Sequence, residues 1–110
     1  MAILEPLRRR ADFEAVSRRG TARATRLLAS RSLKTDRPTF RVGLAIPASI
    51  GGAVQRNRVR RRLRALLRAR TAQMGDGVDL LLIARPGVAD AAYEELGAAL
   101  DEVLGPLMRA

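Results

Sequence analysis

From Val54 onward the apolar residues fall at helical spacing. Val59, Leu63, Leu66 and Leu67 form one stripe on a helical wheel. Asn57, Arg60, Arg61, Arg64 and Arg68 gather on the far side, flanked by Arg58 and Arg62. The pattern predicts a helix from about Val54 to Met74 with one face for a core and one for a charged partner. Elsewhere the period changes. Phe40, Val42, Leu44 and Ile46 alternate with Arg41, Gly43 and Ala45, the pattern of a half-buried strand over Phe40–Pro47. Val78 to Ala84 is a nearly continuous apolar run of strand length between glycines and Pro86, which suits a buried central strand.

Two more helices frame these elements. Phe13 and Val16 share a face of a helix from about Arg9 to Arg19, which Gly20 stops. Tyr93, Leu96, Leu100, Val103 and Leu104 line a last helix, with Asp90 as its expected N-cap, Glu94 and Glu95 in its first turn, and Gly105-Pro106 at its end. Residues 21–34 read as extended, with Leu27, Leu28 and Leu33 as apolar contributors. The order is helix, two or three strands, helix, strand, helix, and one sheet with helices packed on it is the simplest solution. The loop signals at Gly20, Asp36-Arg37-Pro38, Gly51-Gly52, Gly75-Asp76-Gly77 and Pro86-Gly87 are too short for interdomain linkers. With 110 residues, a single domain over 1–110 is expected.

Charge changes the picture more than overall composition does. The chain carries 21 basic and 11 acidic residues, a net charge of +10, and every basic residue except Lys34 is arginine. Arginine presents a planar fork of donors that matches phosphate and stacks on bases. The charge is segregated: residues 56–70 hold eight arginines and no acid, whereas residues 71–110 hold two basic and seven acidic groups. A face that served solubility alone would intersperse acids. The pattern points to a polyanion.

The chemistry of a protein active site is missing. There is no histidine, hence no imidazole base and no serine–histidine arrangement. There is no cysteine, hence no disulfide and no thiolate metal site. No phosphate loop of the P-loop type occurs. Gly51-Gly52 before a helix is read either as a tight turn or as a place where backbone N–H groups approach a phosphate. The acid pairs Asp76 with Asp79 and Asp101 with Glu102 read as surface or capping residues rather than as metal ligands. No apolar run is long enough to span a bilayer, and the opening lacks a secretory pattern, so the expected location is cytoplasmic, with no membrane partner. Asn57, at the start of the basic face, reads equally as a capping residue and as an RNA contact.

The stretch Ile50 to Arg64, IGGAVQRNRVRRRLR, resembles the signature of the bacterial ribonuclease P protein family, a G-x-A-V-x-R-N-R core continuing into a basic helix. Gly51, Ala53 and Val54 are in register ahead of Arg56-Asn57-Arg58. Leu7-Arg8-Arg9 with Asp12-Phe13, Val16 and Gly20 is similar to the family's opening helix, and Arg41-Val42-Gly43-Leu44 to its strand before the signature. Ile83-Ala84-Arg85 followed by Tyr93-Glu94-Glu95 resembles its final strand and helix, so the likeness covers roughly residues 4–104.

The resemblance implies an α/β (α+β) two-layer sandwich in α-β-β-β-α-β-α order, with a small mixed sheet and a left-handed β-α-β crossover. It implies a subunit that binds a catalytic ribonuclease P RNA and the 5′ leader of precursor tRNA. The subunit assists magnesium-dependent endonucleolytic removal of the leader, with Mg bound mainly by the RNA and no catalytic residue in the protein. Carried over by position, Arg56, Asn57, Arg58, Arg60, Arg61, Arg64 and Arg68 become RNA contacts, with Arg70 a looser candidate, and Phe13 becomes a leader-cleft residue. For Phe13 the other reading is core packing with Val16. The chain departs from the pattern in three places: Ser17 and Arg31 stand where relatives often carry aromatics, and Ala48-Ser49 where a lysine pair is common. The departure at Arg31 leaves two expectations: weaker leader binding, or Arg31 replacing an aromatic in the leader cleft by its guanidinium.

A structural RNA-binding protein such as a ribosomal protein would share the basic helix but needs neither the signature nor a leader cleft. A DNA-binding helix-turn-helix would need base-reading polar variety at the start of its recognition helix, which this arginine-dominated helix lacks, so DNA is not an expected partner.

Overall fold

The computed structural model describes residues 3–108. The chain runs β1 (Ile3–Pro6), α1 (Arg10–Arg19), β2 (Thr21–Ala24), β3 (Leu28–Lys34), β4 (Thr39–Ala45), α2 (Ala53–Ala69), β5 (Val78–Ala84) and α3 (Tyr93–Leu104). The expected α-β-β-β-α-β-α order is present with one short strand, β1, ahead of it. All five strands form one mixed sheet in the order β1-β4-β5-β3-β2. β5 lies at its centre, parallel to β4 and antiparallel to β3, as its apolar run requires. The parallel pair β4 and β5 is joined through α2, a β-α-β crossover.

Strand alternation divides the core in two. Phe40 and Val42 of β4, Val78, Leu80, Leu82 and Ala84 of β5, and Leu28 of β3 turn toward α2 and α3. They meet Val59, Leu63, Leu66 and Leu67 of α2 and Leu96, Leu100, Val103 and Leu104 of α3. This is the larger layer pair of the sandwich. The other face carries a smaller cluster around Leu7, Val16 and Leu81, with Phe13, Leu33, Ala45 and Ile83 against it, and α1 covers it.

That second cover corrects the reading of β4. A half-buried strand was expected, but Arg41 and Gly43 are buried as well as Phe40 and Val42, because α1 lies over the face they occupy. Two helix ends also move. α2 ends at Ala69, not Met74: the chain tightens into a 3-10 turn over Thr71–Gln73, and Met74 is fully buried as the bridge partner of Met108. Asp90 does not cap α3. It ends a separate 3-10 turn, Val88–Asp90, and α3 starts at Tyr93, where the Ala92 N–H donates to Glu95 Oε1 at 3.0 Å.

Candidate nucleic-acid interface

α2 begins where Gly51, at φ 154°, breaks the preceding 3-10 turn. The Gly52 N–H donates to Gln55 Oε1 at 2.9 Å and the Gly51 N–H to the Ala48 carbonyl at 3.2 Å. Both glycine amides are thus satisfied internally, which favours the tight-turn reading of this pair. Because the helix starts at Ala53, Asn57 lies inside its second turn and caps nothing. Its Oδ1 accepts from Arg60 Nη1 at 3.1 Å instead.

The apolar stripe of α2 is buried, and Asn57, Arg58, Arg61, Arg64 and Arg68 are exposed, with Arg56 and Arg60 partly so. The ion pairs show what this face is free to do. The acids Asp12 and Asp79 pair with Arg41, Glu14 with Arg10, Glu95 with Arg26 and Asp101 with Arg70. Among the described residues, none of Arg56, Arg58, Arg60, Arg61, Arg64 or Arg68 has a salt-bridge partner. Like charges one turn apart destabilise a helix by about 0.2–0.5 kcal/mol per pair, and cations in a first turn oppose the macrodipole. The segment is helical in spite of these charges, held by its buried leucines.

Two neighbouring arginines are committed elsewhere. Arg62 lies over the Tyr93 ring, 5.9 Å from its centroid, and donates to the Ala91 carbonyl at 3.0 Å. Arg70 donates to both carboxylate oxygens of Asp101 and to the Leu66 carbonyl, so this looser candidate serves to tie α2 to α3. The hydrogen bond between them raises the pKa of Arg70 and lowers that of Asp101 below the ordinary carboxylate value.

Two concavities flank the basic face. The first is a groove of about 490 Å³ between β1, Phe13, the edge of β4 and the arginines Arg60, Arg64 and Arg68. Phe13 is half-buried there with its ring against Gly43: a Cβ at that glycine would stand 2.5 Å from Phe13 Cε1. Both readings of Phe13 therefore describe one placement, since the ring packs beside Val16 and Leu7 and also lines the groove. The second concavity is a shallow depression formed by Val54, Asn57, Arg60, Arg61 and Arg64, in which Val54 is 80% exposed. Arg31 is not brought to either. It sits on β3 opposite Leu81, on the face that α1 covers but two strands away from Gly43, and its Nε is buried without a partner among the described residues, as is that of Arg56. Ser17, Ala48 and Ser49 are exposed.

Sequence reasoning missed one constellation. Arg41 Nε and Nη2 donate to the two oxygens of Asp79 at 2.8 and 2.6 Å, and Nη1 donates to Asp12 Oδ2 at 3.0 Å. Asp79 is buried and is not the surface or capping residue expected. The hydrogen bond to Asp79, opposed by burial and helped by Asp12, holds the Arg41 guanidinium still more firmly protonated than usual. The signal was one charge in each of two apolar strands, but only the register brings them together.

Comparison with known proteins gives one answer at each level. The family described as Ribonuclease P matches residues 1–108. The ribonuclease P protein component of Acidothermus cellulolyticus is 42% identical over 103 residues, covering 92% of this chain and 86% of that protein. That of Streptococcus pneumoniae serotype 4 is 35% identical over 98 residues, covering 89% and 80%. Among solved structures, a mutant RNase P protein of Staphylococcus aureus superposes with a TM-score of 0.86 at 24% identity, covering 92% of this chain and 86% of that one. The RNase P protein of Thermotoga maritima superposes with a TM-score of 0.85 at 21% identity, covering 94% and 97%.

Proposed function

This chain belongs to the ribonuclease P protein family, and from that premise we propose that it binds the catalytic RNA of the holoenzyme through the outer face of α2 and the 5′ leader of precursor tRNA through the groove beside Phe13. The RNA carries out the cleavage, and the protein holds substrate and catalyst together in the cytoplasm. The observation that carries this reading is that among the described residues none of the seven arginines of α2 has an acidic partner, and six of them, all but Arg62, are left free of the neighbouring elements, while the ion pairs of the protein use arginines elsewhere. Unneutralised guanidinium groups on one face fit a phosphate backbone, each engaging oxygens through two donors.

The magnesium belongs to the RNA in this reading. Among the described residues no three acidic side chains converge on one point, and Asp12 and Asp79, which meet at one guanidinium, are both held by Arg41. In this reading the protein's own side chains hold no metal, and no step runs through one.

The test is reconstitution. Purified protein added to its cognate RNA is expected to speed leader removal from precursor tRNA at low magnesium, where RNA alone is slow, and to lose affinity for substrate when the leader is shortened. Protein that binds the RNA but ignores leader length would be a structural RNA-binding protein, and the leader reading would be wrong.

A further inference from the structure

The two concavities on either side of α2 share a wall. Arg60 and Arg64 line both the groove that contains Phe13 and the depression that contains Asn57 and Arg61. One turn apart, they stack along a ridge between the two hollows. A guanidinium carries five N–H donors. Arg60 uses one on Asn57, and neither residue has a carboxylate partner among the described residues.

On the groove side the edge of β4 is open beyond β1. The Val42 carbonyl accepts from the Leu7 N–H at 2.9 Å, so at Val42 the peptide edge of β4 faces β1. Peptide groups alternate along a strand, so the N–H of Leu44, a residue that lines the groove, points to the same side, beyond the last β1 pair, Pro6 with Val42. A volume of about 490 Å³ is that of a site for one small molecule, which admits a nucleotide or so of single strand and no duplex.

We infer that Arg60 and Arg64 are shared residues, each contacting a phosphate of the leader in the groove and a phosphate of the catalytic RNA over the depression. This rests on the function proposed above. Two phosphate chains flanking one helix ridge lie within about a Debye length, ~8 Å at physiological salt, and repel each other. Guanidinium groups between them neutralise both sides, so the ridge permits the two strands to run side by side.

The experiment reads two affinities for each variant. The first is the affinity of the protein for catalytic RNA without substrate. The second is the ratio of holoenzyme affinities for precursor tRNA with full and truncated leaders, measured at protein concentrations that saturate the RNA for that variant. Asn57→Ala is expected to lower only the first and Phe13→Ala only the second. Arg64→Ala is expected to lower both, each by about tenfold, the scale of a lost charge-assisted contact. Arg64 lies exposed on α2, and unchanged thermal melting would confirm that the fold is intact. An Arg64→Ala protein that loses one affinity and keeps the other overturns the shared ridge. If the wild-type holoenzyme itself ignores leader length, the leader reading fails and takes the ridge with it. That result is distinct because it appears before any substitution is made.

Discussion

Arg41 of β4 and Asp79 of β5 stand directly opposite each other in register and are joined by two hydrogen bonds, at 2.8 and 2.6 Å, on the sheet face that α1 covers. The same guanidinium reaches Asp12 of α1 at 3.0 Å. One cation thus binds the two central parallel strands and the helix above them, beside an apolar cluster small enough to need the help. Removing one partner of a buried ion pair leaves the other uncompensated, which costs about 3–5 kcal/mol. Arg41→Ala is expected to lower the unfolding free energy by that amount in urea titration. Asp12→Asn should cost less, because Asp12 is more exposed than Asp79 and an amide oxygen still accepts. A loss under about 1 kcal/mol for Arg41→Ala would mean that water reaches the site and the triad does not hold α1.

The Arg70–Asp101 pair makes a prediction about acid. The hydrogen bond from Arg70 holds the Asp101 carboxyl below the ordinary carboxylate range. A carboxylate whose pKa is depressed by folding adds stability that is fully present above its unfolded pKa and is lost as pH falls through the folded one. The pair is partly exposed, so the effect is small. The difference in melting temperature between wild type and Asp101→Asn is expected to be constant from neutral pH down to the ordinary carboxylate range, and to vanish below it. A difference that persisted after Asp101 had protonated would show that the carboxylate charge contributes nothing.

Much of this arrangement is legible in the sequence, for physical reasons. α2 announces itself because a buried stripe of Val59, Leu63, Leu66 and Leu67 must repeat at the helical period, and β5 because a strand covered on both faces is apolar at nearly every position, Asp79 being the exception. The free arginines could be read as a face because periodicity places them opposite that stripe. Arg41 and Asp79 could not be read as a pair, since nothing local says that position 41 lies beside position 79; only the parallel register does. The groove was hidden for the same reason, because its walls come from β1, α1, β4 and α2. Arg62 and Arg70 looked like their neighbours, and only the docking of α3 separates them from the free set.

Salt dependence tests the free set directly. Each phosphate neutralised by an arginine releases condensed counterions, so the logarithm of affinity falls with the logarithm of salt by about 0.7–0.9 per contact. Arg61→Ala and Arg68→Ala are each expected to flatten that slope by about this amount in titrations with catalytic RNA. Arg70→Ala, in contrast, should leave the slope unchanged while lowering stability, because its guanidinium is spent on Asp101 and the Leu66 carbonyl. An equal flattening by Arg70→Ala would show that the pair opens when RNA binds.

The last prediction concerns Gly43, whose missing side chain is what Phe13 rests on. A Cβ there would lie 2.5 and 2.8 Å from Phe13 Cε1 and Cζ and 3.3 Å from Leu7 Cδ1. The helix bearing Phe13 cannot simply lift, because Asp12 next to it is held by Arg41. The ring must therefore swing toward the groove or strain in place, and overpacking of this kind costs about 1–3 kcal/mol. Gly43→Ala is expected to lower stability by that amount and to weaken the leader-dependent part of substrate affinity, with affinity for catalytic RNA unchanged. Adding Phe13→Ala removes the clash, so the double variant should be no less stable than Phe13→Ala alone, a non-additivity that marks direct contact. Strict additivity of the two losses would mean that the ring and the glycine do not touch, and the groove wall described here would have to be redrawn.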